Sequence, residues 1–167
     1  MVSVLSWFRD FRKKKNRQKK RKRGSVEATR LNQIWHIDVS EFKTIDNVKF
    51  YIHSIIDNFS RKILAYTVSR DKTAKTRLAS IKEAILTQFK TEILVSELDL
   101  IADGGPENDN FRIRNLIRHS KSKVDIHLKI AQKDVVFSNS MIEGNFKILK
   151  QHLRKRGEIF ANTIIKK

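Results

Sequence analysis

Three carboxylates stand out by where they fall in the chain. Asp38 lies inside "IWHIDVSEF", which otherwise reads as a central strand, where an unpaired carboxylate is costly to bury. Asp103 closes the short apolar run "LDLIAD" just before Gly104 and Gly105, the kind of strand end beside which ligands bind in open α/β sheets. Glu143 stands early in "FSNSMIEGNFKILKQ", a stretch with helical spacing. Carboxylates that converge from two strands and a helix offer the hard oxygen ligands suited to Mg²⁺ or Mn²⁺. Two such ions about 4 Å apart activate a water or a 3′-hydroxyl and relieve charge on the leaving oxygen of a phosphodiester.

Each acid also has a plainer use. Ser140 and Glu143 have the S-x-x-E spacing of a capping box, and Glu143 with Lys147 makes a favourable i,i+4 pair. Asp38 could pair with a basic residue, and Asp103 could be an ordinary turn residue. His36 shares a strand face with Asp38, but reads first as a structural histidine, and His127 as an exposed one. The acids of "DGGPENDN" lack the closing Glu of an EF-hand, and no serine-hydrolase, zincin or P-loop motif occurs.

The charge narrows the partners. Lys and Arg number 36 against 18 Asp and Glu, for a formal net charge of +18. Residues 1–30 hold 12 basic and 2 acidic side chains, among them Lys13, Lys14, Lys15, Lys19, Lys20, Arg21, Lys22 and Arg23. A run of this kind repels itself and seldom folds alone, and its natural partner is a polyanion. Nucleic acid fits better than a membrane surface, because no long basic amphipathic helix and no long apolar span is present. The opening residues place an apolar patch before the charge, the reverse of a secretory signal. The sequence has no cysteine, which excludes disulfides and thiolate metal sites and fits a reducing cytosol.

The elements that must position the acids are legible from periodicity. "IWHIDVSEF" alternates, with Trp35, Ile37 and Val39 on one face and His36, Asp38 and Ser40 on the other. "VKFYIHSII" and "KILAYTVS" flank "DNFSR" as a hairpin, and "KTAKTRLASIKEAILTQF" is helical through Ala74, Leu78, Ile81 and Ile85. "LDLIAD" suits a buried parallel strand, "DNFRIRNLIRH" a weaker helix, and "VDIHLKI" another strand. In the last helix Ile142, Phe146, Leu149 and Leu153 form the buried stripe. Glu143, Lys147, Lys150 and Arg154 follow the same steps, turned by about 100° around the helix. The order β-β-β-α-β-α-β-α predicts an α/β domain with a mixed sheet.

Together, "NQIWHIDVSEF", "IIDNFSRKILAYTVS", "LIADGGPEN" and "FSNSMIEGNFKILKQHLRKRG" resemble the catalytic core of insertion-sequence transposases and retroviral-type integrases. This is the DDE family of the integrase (rve) superfamily, and the resemblance runs from Asn32 to Arg156, about three quarters of the chain. It implies a ribonuclease-H-like fold: a mixed five-stranded sheet flanked by helices, here preceded by a basic N-terminal arm. It implies Asp38, Asp103 and Glu143 as catalytic and metal-binding residues, with Mg²⁺ or Mn²⁺, in two ions, as cofactor. Lys147, Lys150 and Arg154 would then lie along the DNA, with the lysines and arginines of the arm as further DNA contacts. "DNFSRK" takes a scaffold role, with Asp57 and Arg61 bracing the hairpin.

The activity implied is metal-dependent DNA strand cleavage and transfer during transposition or integration, acting on transposon ends and target DNA as a homo-oligomer. No membrane and no nucleotide cofactor is implied, since transesterification conserves phosphodiester energy. The implied location is the bacterial cytoplasm, on the nucleoid when DNA is bound. The domain reading is an arm and linker over 1–30, a core over 31–156 and a short tail over 157–167 that looks curtailed against the family. Thirty-nine residues separate Asp103 from Glu143, a little above the usual spacing, and Gly104 stands where the family often has Asn or Arg. Two other readings share these residues: an inactive transposase remnant that only binds nucleic acid, and a stand-alone ribonuclease-H-like nuclease.

Overall fold

The computed structural model describes residues 26–89, 95–105, 110–120, 124–131 and 140–155. The basic arm from Lys13 to Arg23, the Pro106 turn and the tail over 157–167 lie outside the described residues. So do the side chains of Ser140 and Arg154, and with them the capping box and the last cation of the final helix.

Among the described residues, eight elements follow one another in the order read from the sequence: β1 (Ile34–Lys43), β2 (Lys49–Asp57), β3 (Ile63–Ser69), α1 (Ala74–Gln88), β4 (Val95–Ala102), α2 (Phe111–Ser120), β5 (Val124–Ile130) and α3 (Ser140–Lys155). The five strands form one sheet in the order β3-β2-β1-β4-β5. β1 is central, antiparallel to β2 on one side and parallel to β4 on the other. β4 and β5 are also parallel, so the sheet is mixed, as expected when a hairpin meander is followed by helical crossovers.

Alternation along β1 sends its side chains to two different layers. Trp35 and Ile37 face a large core with Ile55, Ala65, Leu98, Leu100 and Ile126, closed over by Ile81, Ala84 and Ile85 of α1 and Ile113 of α2. Trp35 stacks on Phe89 with ring centroids 5.6 Å apart, and its indole N–H donates to Asn32 Oδ1 at 3.1 Å. On the opposite face, Ile142, Phe146 and Leu149 of α3 pack on Ile52 and Ile56, with Phe42 and Ile63 at the margin. Ile142, Phe146 and Leu149 of the stripe read for the last helix are therefore the face that holds it down, while the side chain of Leu153 lies outside the described residues. Among the described residues, no helix is long and apolar enough to cross a membrane.

α1 corrects one detail of the sequence reading. Its deepest face is Arg77, Ser80, Ile81, Ala84 and Ile85, whereas Leu78 is only partly buried. The helix is turned so that two polar side chains go inside, and Ser80 Oγ meets Thr67 Oγ1 at 2.8 Å. The linker expected before the core is also folded in. Val26 and Ala28 pack against Ile34 and Ile101, and Asn58 clasps this segment by accepting from Ala28 N–H (2.9 Å) and donating to Val26 C=O (3.1 Å).

Candidate active site

The scaffold of the hairpin is built from Asp57. Fully buried at the end of β2, it accepts from Asn32 N–H at 2.9 Å and from the N–H and Oγ–H of Ser60, both at 2.7 Å. Arg61 takes a left-handed backbone (φ 61°), its N–H donating to Asp57 C=O at 3.0 Å. Asp57 thus braces the turn and ties it to the entry of β1. Next to it, Asn58 Nδ2 lies 2.9 Å from His36 Nε2, so buried His36 completes a structural network and is not turned toward the acids as a ligand. His127 is exposed, with Asp125 at 3.9 Å.

Strand register brings the first two acids together. β1 and β4 run parallel with Trp35 opposite Leu100 and His36 opposite Ile101. Two residues further along both strands stand Asp38 and Asp103, at the carboxyl edge of the sheet's centre. Asp38 is directly opposite Ser54 of β2 and so shares the sheet face on which α3 packs. Glu143 projects from the first turn of that helix and is exposed.

Asp38 stands near enough to Asp103 and Glu143 for their charges to act on it. Burial pushes the Asp38 carboxyl up to about 6, and the charges of Asp103 and Glu143 push in the same direction. Against them act the hydrogen bond from Val39 N–H, at 2.7 Å to Oδ1, and the charge of buried Arg77 from the far side of the sheet. Asp38 therefore senses both other acids. Even so, among the described residues no three His, Cys, Asp or Glu side chains stand close enough together to hold an ion as they are arranged. The donors have the right chemistry for a hard divalent cation, and of the three Glu143 is on an exposed helix position.

An open groove of about 400 Å³ runs from these acids along α3, lined by Asp38, Val39, Ser40, Glu143, Phe146, Lys147, Lys150 and Gln151. Lys147 and Lys150 line it as the helical spacing implied, while Asp103 is not part of its wall. Beside Glu143, a Cβ built on Gly144 would meet nothing within 4 Å, so this flank is open. A Cβ on Gly104 would meet only Ile130 Cγ2 at 3.7 Å, so nothing local demands glycine there. Ser40, Phe146 and Gln151 as groove walls, and Arg77 as a buried countercharge, were not singled out from sequence. A charged residue one helical turn before Ile81 was the available signal for Arg77.

A mixed five-stranded sheet with this connectivity and helices on both faces is the ribonuclease-H-like fold. The model of the integrase core domain matches residues 28–129, and the chain belongs to that family. The matched stretch includes Asp38 and Asp103 and ends before Glu143. Among solved structures, the simian T-cell lymphotropic virus intasome is similar, with a TM-score of 0.65 at 21% identity over 89% of this chain and 51% of that one. The HTLV-2 integrase catalytic core domain in complex with magnesium follows at 0.56, 20% identical over 75% of this chain and 72% of that one. The BIV integrase catalytic core domain stands at 0.55, with 19% identity over 74% and 70% of the two chains. These likenesses establish the fold. The chain spans about half the length of the intasome chain it matches. No curated protein matches the chain in sequence.

Proposed function

We propose that this chain is the catalytic core of a DNA strand-transferase, cutting DNA and joining the freed end to a target strand with Mg²⁺ or Mn²⁺. The observation that carries this reading is geometric: Asp38 and Glu143 line one groove with Lys147 and Lys150, and the β1–β4 register sets Asp103 beside Asp38. Asp38 and Asp103 would hold the metal, with Glu143 completing the set. When bound, two such ions supply an activated water or 3′-hydroxyl and charge relief at the leaving oxygen. Val39 N–H fixes the orientation of Asp38 from one side, leaving its other oxygen for the ligand. Lys147 and Lys150 carry the phosphate backbone along α3, and Phe146 forms the apolar wall beside it. Substrates would be the ends of a mobile element and a target duplex, handled by an oligomer. The HTLV-2 core occurs in dimeric and trimeric forms, which supports the last point.

The test is Mg²⁺- or Mn²⁺-dependent nicking and strand transfer on labelled DNA, with Asp103→Asn and Glu143→Gln beside the parent. The expected result is cleaved and joined product from the parent alone. Variants as active as the parent would remove the three acids from the chemistry, and cleavage without joining would make the chain a nuclease.

A further inference from the structure

Outside the groove, α2 shows an unusual surface. Ile113 is buried, and Leu116 and Ile117 pack partly against the main core. The remaining face is outward, and along it run Phe111, Asn115 and Arg118 at helical steps of four and three, with Arg112, Arg114 and His119 to either side. The sequence of this helix contains no acid, and Phe111 is 78% exposed, the largest value among the exposed large hydrophobics described. The rest of the outward face is mostly cationic, and the acids nearest in the chain, Glu107 and Asp109, precede the helix, so Phe111 does not sit in an apolar patch. A second copy of this chain, itself at +18, would be repelled by such a face, whereas a polyanion with flat apolar groups complements it.

We propose that the outward face of α2 binds an unpaired stretch of DNA, with a base stacked on Phe111 and adjacent phosphates held by Arg112 and Arg118. Bases in a duplex hide their faces in the stack, so an exposed aromatic ring discriminates in favour of single strands, while arginines around it supply sequence-independent attraction. α2 begins eight residues beyond Asp103 in the chain. The inference rests on the reading of the chain as a DNA-acting protein, but concerns binding and not chemistry.

The experiment measures fluorescence anisotropy of a labelled single-stranded oligonucleotide, and of a blunt duplex of the same length, on the full chain in EDTA, which removes strand chemistry from the readout. Phe111→Ala should weaken single-strand binding by about 5- to 150-fold and leave duplex binding within about twofold. Phe111→Trp should keep parental affinity. Arg112→Gln and Arg118→Gln should each lower the log–log salt slope for the single strand by about 0.7. Far-ultraviolet circular dichroism and thermal unfolding check that the variants remain folded, as an exposed ring allows. Single-strand affinity unchanged in Phe111→Ala overturns the proposal, as does equal loss on duplex. Sedimentation showing that Phe111→Ala abolishes self-association of the parent, with DNA binding intact, also overturns it and makes the face a contact between copies. A parent that fails to nick or join DNA, yet shows the expected Phe111 effect, loses the catalytic reading and keeps this one.

Discussion

Asp38 is the residue at which the proposed function works against the fold. Its carboxyl is driven up to about 6 from 3.8, chiefly by burial, so the metal-free protein bears a cost for each ionised Asp38. With the native value above the unfolded one, the protonated form is favoured by folding. Stability from this group is fully present below pH 3.8 and is lost as pH rises through about 6. The shift corresponds to at most about 3 kcal/mol, and partial solvent access reduces this to about 1–2 kcal/mol. Asp38→Asn should therefore be more stable than the parent by about that amount at pH 8 in EDTA. The difference should shrink below pH 6 and vanish near pH 4, as read by urea unfolding of both proteins across that range. Mg²⁺ should raise the unfolding temperature of the parent and leave that of Asp38→Asn unmoved, while the variant loses nicking. An Asp38→Asn protein less stable than the parent at pH 8 would mean that the carboxylate is already compensated within the fold.

At the scale of elements, the helix that carries Glu143 was readable because its two stripes differ in chemistry. Ile142, Phe146 and Leu149 are all buried against β1 and β2, and Lys147 and Lys150 fall one step around, in the groove. The strand alternation of β1 was equally plain, since Trp35 and Ile37 against His36 and Asp38 leaves only one way to divide the faces. α1 was less legible. An apolar stripe through Ala74 and Leu78 competes with one through Arg77 and Ala84, and only the cost and compensation of burying a guanidinium, fixed by neighbours distant in sequence, decides between them. The clasp of Asn58 on Val26 and Ala28 was illegible for the same reason, because a bond over 30 residues leaves no local pattern. Within α3, Gly144 weakens the helix, and a Cβ there would meet nothing within 4 Å. Gly144→Ala should stabilise the protein by about 0.5–1 kcal/mol, measured by thermal unfolding, with nicking unchanged. A loss of stability would show that the open flank beside Glu143 is filled in solution.

On the proposed function, the question for the molecule as a whole is how a charge of +18 is divided between catching DNA and aligning it. Residues 1–30 carry 12 of the 36 cations, and the proposed function gives them non-specific capture of DNA at low salt. The groove offers far fewer, but Lys147 and Lys150 stand on a packed helix and line the groove with Asp38 and Glu143. Capture and alignment therefore predict different signatures. Lys147→Gln with Lys150→Gln should lower the log–log salt slope for duplex binding by about 1.8 and weaken binding evenly across sequences. Nicking should fall by more than the loss of occupancy explains, because DNA held by the arm alone is not registered on Asp38 and Asp103. The comparison is made at DNA concentrations that saturate both proteins, where any deficit left is one of alignment. Equal rates at saturation would assign the lysines to capture, and the path of the backbone would then have to leave the acids in another direction than along α3.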